Sequence, residues 1–282
     1  MRRNRTSQCL FGIVFMLATT TALHAQSPSP TPSPTPSLEH EFLKNILHDQ
    51  KSIWTAPFHL KGSDAKWVVP ASIGFMALVT TDRITGDEIF ESNRQVNLSR
   101  HISDAGSIYA LGAAASTFYV IGRKTGDYRA RETGLLSAEA LIDSAIVEGV
   151  LKGVTQRARP LDGAERSEFF DGGSSFPSGH STQAWAVATV VANEYKHRRA
   201  VQIAAYGIAS AVTVARFTEH KHYLSDVVAG SALGFAIGRF VYKAHHQELV
   251  ESDGAITKSR WFITPQYNRQ ARQYGVALTW NF

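Results

Sequence analysis

Three short stretches of this chain hold residue types that together could grip an anion and cleave it. In "KGVTQRARP", six residues separate Lys152 from Arg159, and Pro160 follows. Proline disfavours helix at the residue before it, so Lys152 can end a helix while Arg159 sits on the loop beyond. An ammonium and a guanidinium, one a point charge and the other a bidentate fork, could then hold one anion between them. In "SFPSGHSTQAW", Ser178 is a good N-cap, Gly179 lets backbone approach a ligand, and the following helix turns its free N–H groups outward. His180, in the first turn, could hydrogen-bond or protonate a group on the anion. In "ARFTEHKHYLSD", Arg216 is followed by His222 and then Asp226. If a helix starts near His222, these last two form an i, i+4 pair. An aspartate accepting from one ring nitrogen fixes the tautomer and leaves the other nitrogen free to attack. Taken singly, the three stretches also read as a solvated basic loop, a capped helix start and a surface ion pair.

The elements that must position these residues are helices. The chain has 282 residues, 44% of them hydrophobic, enough for one sizeable core. "LEHEFLKNILHDQ" places Leu38, Phe42, Ile46 and Leu47 near one helical face. Six longer apolar segments follow, near 67–81, 105–122, 133–151, 180–195, 200–215 and 227–242, rich in Ala and Gly and without strand alternation. The expected fold class is all-α, a bundle of about six core helices over residues 38–255. At the end, Tyr274, Val276, Leu278, Trp280 and Phe282 alternate with smaller or polar residues, which predicts a short β-hairpin within 256–282. That alternation also resembles the assembly signal of outer-membrane barrels, although one hairpin cannot close a barrel.

The beginning of the chain reads as an address. Arg2, Arg3 and Arg5 precede an apolar run that ends at Ala25, the pattern of a secretory signal peptide over residues 1–25. Residues 26–37 form a Pro/Ser/Thr-rich tether. The full chain carries 29 Lys and Arg against 24 Asp and Glu; without the leader's three arginines 26 remain, and the formal charge falls from +5 to +2. A nucleic-acid partner is therefore not expected. The one cysteine, Cys9, lies in the leader, so no disulfide or thiol chemistry is expected in the mature chain. His220 with His222, and His245 with His246, lack the spacing and company of a zinc site, so neither a metal nor another cofactor is expected. Arg157 reads as a solvated side chain that could at most support the pocket.

Set in order, Lys-Arg-Pro, Pro-Ser-Gly-His and Arg-His-Asp resemble the motifs of the type 2 phosphatidic acid phosphatase (PAP2) superfamily, which includes acid phosphatases, lipid phosphatases and vanadium-dependent haloperoxidases. The resemblance covers roughly residues 65–243. It implies that Lys152, Arg159 and Arg216 hold the phosphoryl oxygens, with hydrogen bonds added by Ser178 and the backbone of Gly179. It implies His222 as the nucleophile, Asp226 as its orienting partner and His180 as general acid. The implied activity is metal-independent hydrolysis of a phosphate ester, small or lipid, through a phosphohistidine. One departure stands out: Ala215 precedes Arg216 where the family usually has serine.

Two alternatives stand beside it: a vanadium-dependent haloperoxidase as the nearest enzymatic rival and, from another class, a non-catalytic envelope protein that binds the outer membrane through its tether and hairpin. The expected location is the periplasm or cell envelope. Glu139, Asp143 and Glu148 within the third apolar segment, short neighbouring segments and misplaced basic loops argue against membrane spans. Gly230, Gly234 and Gly238, spaced by four, argue for them, so an integral membrane form is the alternative.

Overall fold

The computed structural model describes residues 38–87, 93–160 and 168–253 together with two strands at 260–268 and 273–281. The expected signal peptide and tether lie outside the described residues. Eight α-helices are described: α1 (Leu38–Thr55), α2 (Ala65–Asp87), α3 (Asn93–Asp104), α4 (Ile108–Thr125), α5 (Tyr128–Thr155), α6 (Gly179–Glu194), α7 (Arg199–Thr218) and α8 (Leu224–Asp253). The strands β1 (Arg260–Asn268) and β2 (Gln273–Asn281) pair antiparallel, with Trp261 opposite Trp280.

The six apolar segments correspond to α2 and α4 through α8. Helix α3 has a mean hydropathy below zero and offers no apolar run to find it by. Helix α1 runs five residues beyond the predicted Gln50, and its buried face differs from the predicted one. Leu38 and Ile46 are buried, Leu47 is exposed, and the polar Asp49 is fully buried.

Local chemistry sets the boundaries. Helix α4 starts at Ser107, whose Oγ accepts from the Ala110 N–H at 3.3 Å, and ends at Gly126, where φ is +73°. One residue on, Asp127 caps α5 through the Ala130 N–H at 3.2 Å. Helix α5 stops at Gln156, left-handed at φ +44°, whose N–H closes onto the Lys152 carbonyl.

Helix α6 is the centre of the bundle, with 12 of its 16 residues buried. On one side Ala186 and Val190 pack against Leu136 and Val147 of α5 and Ile237 and Val241 of α8. On the other, Ala184, Val187 and Ala188 meet Leu111 of α4 and Ala209 and Val212 of α7. Helix α8 lies against α6 at backbone distance: a Cβ at Gly234 would fall 2.0 Å from the Thr182 carbonyl oxygen, and one at Gly238 would fall 2.3 Å from that of Ala186. The four-residue glycine spacing is thus the seam that fixes α8, and Asp226 at its start, relative to the first turn of α6.

Helix α7 is the opposite case: only three of its 20 residues are buried, and Ile203, Ile208 and Val214 lie more than half exposed. Helix α2 likewise exposes Trp67, Ile73 and Met76. Two described helical stretches, Arg199–Thr218 and Leu224–His246, are long and apolar enough to cross a membrane; Arg94–Asp104 with Ile108–Thr125, bent by 41°, makes a third if counted as one span. The acidic residues that argued against membrane burial do not face outward. Glu139, Asp143 and Glu148 all point into the bundle and are buried there.

Candidate functional site

The three chemistry-bearing stretches meet at one end of the bundle, where α5 and α7 finish and α6 and α8 begin. The centre of this region is a residue that the sequence reading set aside. Arg157 is not solvated but fully buried. Its Nη1 donates to Asp226 Oδ1 at 2.6 Å and to Ser225 Oγ at 2.7 Å, and its Nη2 donates to Asp82 Oδ2 at 2.7 Å. The rings of Phe169 and Tyr223 lie on the guanidinium, 4.7 and 4.5 Å from its carbon. Asp82, on α2, also takes the Ser225 N–H at 3.0 Å. A buried guanidinium needs two carboxylates and a planar sandwich to offset its lost hydration, and it receives both.

Asp226 is fully committed. Besides Arg157, its Oδ2 accepts from Ser175 Oγ at 2.5 Å and from the Tyr223 N–H at 2.9 Å. The expectation that it also accepts from the His222 ring is not met, because Nδ1 lies 3.8 Å away. The partner of His222 is instead the backbone carbonyl of Ser175, 2.8 Å from Nδ1. A carbonyl only accepts, so Nδ1 carries the proton and Nε2 keeps its lone pair. Asp226 acts one step removed: through the Ser175 hydroxyl and the Tyr223 amide it fixes the loop whose carbonyl orients the ring. Neither Ser175 nor Asp82 was legible as a site residue in the sequence.

Burial pushes the His222 imidazole down to about 4, with Arg216 and Lys152 adding to the effect against the opposing pull of Asp226. It is neutral at ordinary pH. His180, half-buried on the first turn of α6, is also lowered to about 4, first by burial and then by Arg216, His222 and Lys152. Lys152 and Arg216 thus lie near enough to both imidazoles for their charge to act on them. Arg159 acts on Arg216 as well, so the third cation borders the same space.

Each cation has a protein partner. Lys152 pairs with Glu148 one turn back on α5, and Glu148 also accepts from Gln183 at 3.3 Å. Arg216 donates to Ser103 Oγ at 2.8 Å and Glu219 Oε2 at 3.1 Å, which ties α3 to the site. Arg159 donates to Ser174 Oγ at 3.2 Å. Ala215 is buried, and Arg216 takes the hydroxyl of Ser103 on another helix.

Ser178 occupies the N-cap position, but its side chain makes no capping bond. Its buried hydroxyl accepts from Ser181 at 3.2 Å, while its N–H donates to the Asp226 carbonyl at 3.1 Å, so here it joins α6 to α8. Gly179 has a steric reason beyond ligand approach: a Cβ there would stand 2.5 Å from Glu148 Oε1.

The chain is 28% identical over 183 residues to a PA-phosphatase related-family protein of Dictyostelium discoideum, covering 57% of this chain and 66% of that protein. It is 37% identical over 70 residues to a lipid A 1-phosphatase of Porphyromonas gingivalis, covering 24% of this chain and 16% of the relative. The matches thus span less than two thirds of either relative's own length. Among solved structures, a transmembrane PAP2 type phosphatidylglycerolphosphate phosphatase from Bacillus subtilis aligns with a TM-score of 0.44 and 21% identity, covering 78% of this chain and all of that one. LpxE of Aquifex aeolicus aligns with a TM-score of 0.43 and 18% identity, over 58% of this chain and 93% of its own. Residues 133–249, which run from α5 into α8 and contain all eight residues that the motifs single out, match the model of the PAP2 superfamily.

Proposed function

We propose that this protein is a phosphatase of the cell envelope that hydrolyses a lipid phosphate ester through a phosphohistidine on His222, without a metal in the transfer step. The observation that carries the reading is the hydrogen bond from His222 Nδ1 to the Ser175 carbonyl, which leaves Nε2 a neutral nucleophile beside Lys152 and Arg216.

In this reading Nε2 attacks phosphorus as the ester P–O bond breaks, and His180 gives its proton to the departing oxygen. Water then attacks phosphorus as the P–N bond to His222 breaks, His180 takes a proton from that water, and phosphate leaves. Lys152, Arg159 and Arg216 hold the three non-bridging oxygens of the phosphoryl group, with Ser178 and the Gly179 backbone beside them. Stabilisation by fixed charges is the main contribution a protein makes to phosphoryl transfer. The resting site holds His180 neutral, so a bound phosphoryl dianion, opposing the field of the three cations, is what raises its proton affinity for the acid role.

A lipid substrate is favoured over a soluble ester by the apolar surface of α7 and α2, which calls for a hydrocarbon environment next to the site. The relatives named as a PA-phosphatase related-family protein and a lipid A 1-phosphatase support the same reading. The reading takes the helices of the six apolar segments as the working core and the C-terminal hairpin as an appendage, behind an exported leader.

The test is phosphate release by the purified full chain in detergent, from phosphatidic acid and from a soluble aryl phosphate, beside His222→Ala. Release from the lipid that is lost in the variant supports the proposal. Release only from the soluble ester removes the lipid assignment, and equal release by the variant removes the nucleophile.

A further inference from the structure

A second cluster of buried ionisable groups lies away from the catalytic end. Glu139 stands 13 residues before Lys152 on α5, about 20 Å along the helix axis. Around it converge Asp49 from α1, Asp143 one turn on along α5, and His245 from α8. The four side chains belong to residues that are 0%, 1%, 0% and 5% exposed for Asp49, Glu139, Asp143 and His245.

The donors already lie at ligand-to-ligand distances. His245 Nε2 is 2.9 Å from Asp49 Oδ2 and 3.2 Å from Glu139 Oε1. The ligand atoms of these three residues all fall within 4.8 Å of one another. An ion bonded at roughly 2.0–2.2 Å holds neighbouring ligands about 3 Å apart. Asp143 stands beside this set, its Oδ1 taking the Gln50 amide at 2.8 Å.

The hydrogen-bond account of the cluster does not close. Asp49 Oδ1, Glu139 Oε1 and Asp143 Oδ2 are buried oxygens with no hydrogen-bond donor. One imidazole N–H cannot serve two carboxylates well, and the charged groups acting on Glu139 are His245, Asp49 and Asp143, with no lysine or arginine among them. Carboxyl groups and one imidazole are thus packed together in a dry interior, where uncompensated charge costs several kcal/mol. A divalent ion bound by two carboxylates and a neutral imidazole is locally neutral. It also supplies the missing partner to Asp49 Oδ1 and Glu139 Oε1.

We propose that Asp49, Glu139 and His245 bind one divalent transition-metal ion of the zinc or manganese type, which clamps α1 to α5 and α8. One nitrogen with two carboxylate oxygens is a donor set suited to such ions. The site is structural, remote from His222, and independent of the phosphatase reading. The adjacent histidines His245 and His246 fail as a pair because they diverge: His246 faces Glu132 and Glu194 instead.

The test uses the untagged full chain in detergent, dialysed against zinc and then against metal-free buffer, with metal counted by elemental analysis and unfolding followed with and without EDTA. One zinc per chain, and an unfolding temperature lowered by EDTA and restored by zinc, are expected. Cobalt(II) loaded in its place should give visible d–d absorption. Glu139→Gln, which keeps shape and removes a ligand, should weaken zinc at least about 10–100-fold, the loss seen when even an outer-shell partner is removed. His246→Gln should retain the metal. A wild-type chain that keeps no zinc or manganese and whose unfolding ignores both ions and EDTA would overturn the proposal. So would a Glu139→Gln protein that binds zinc as tightly as wild type.

Discussion

Arg157 and Asp226 meet at 2.6 Å with both side chains fully buried, and this contact joins the end of α5 to the start of α8. Because Asp82 on α2 holds the other arm of the same guanidinium, three helices converge on one cation. The site's geometry is thus secured by an ion network that never has to touch substrate.

Removing that cation leaves two buried carboxylates facing each other. Arg157→Ala should therefore cost about 3–5 kcal/mol of stability, the usual loss when one member of a buried pair is deleted. Thermal or denaturant unfolding checks this. A change below about 1 kcal/mol would show that the network is solvated in solution.

Orientation of His222 by a backbone carbonyl has its own consequence. Ser175→Ala keeps the carbonyl, and with it the tautomer, but deprives Asp226 of a hydroxyl donor. Turnover should fall by about 10–100-fold, matching the roughly 1.5–3 kcal/mol of a hydrogen bond to a charged group. A loss as complete as that of His222→Ala would mean that the side chain itself takes part in the chemistry.

The glycine seam makes a paired prediction. Gly234→Ala drives a methyl into the Thr182 carbonyl and should destabilise by about 1–3 kcal/mol. Gly207→Ala, on the open face of α7 with nothing within 4 Å, should be neutral or stabilise by about 0.5–1 kcal/mol. Equal effects on unfolding would contradict the close packing of α8 on α6.

His180 and His222 both titrate near 4 when folded and near 6.5 when unfolded. Between those values the unfolded state binds more protons, so stability is full above about pH 6.5 and falls as pH drops towards 4. Unfolding temperature measured across this window should decline for the wild type and decline less for His222→Gln. Parallel profiles would show that His222 is not held neutral by burial.

Much of this architecture was legible in the sequence, and the failures have specific physical causes. Apolar runs located α2 and α4 through α8, because burial or an apolar surround demands them. Helix α3 escaped because its side chains are mostly polar; its Ser99 and Ser103 are buried by bonding to Thr218 and Arg216 and not by apolar contact. Motif spacing singled out Lys152, His180, Arg216 and His222, and the folded chain brings the two cations near enough to act on both imidazoles. Arg157, two residues before Arg159 on a proline-containing loop, gave no sign that it turns inward. Its partner Asp82 lies 75 residues away, and no local pattern encodes such a pairing. The acidic residues of α5 suggest a bar to membrane burial because sequence shows charge but not direction; Glu139, Asp143 and Glu148 all face inward.

The central claim is that His222 becomes covalently phosphorylated. The most direct measurement is to mix the enzyme with radiolabelled phosphatidic acid, quench in alkali, where a phosphohistidine survives, and map the labelled peptide. Label on the peptide containing His222, absent in His222→Ala, with turnover down on the order of 10⁴-fold or more, is the predicted result. Steady turnover with no trapped phosphoryl group, or label on another residue, would contradict it.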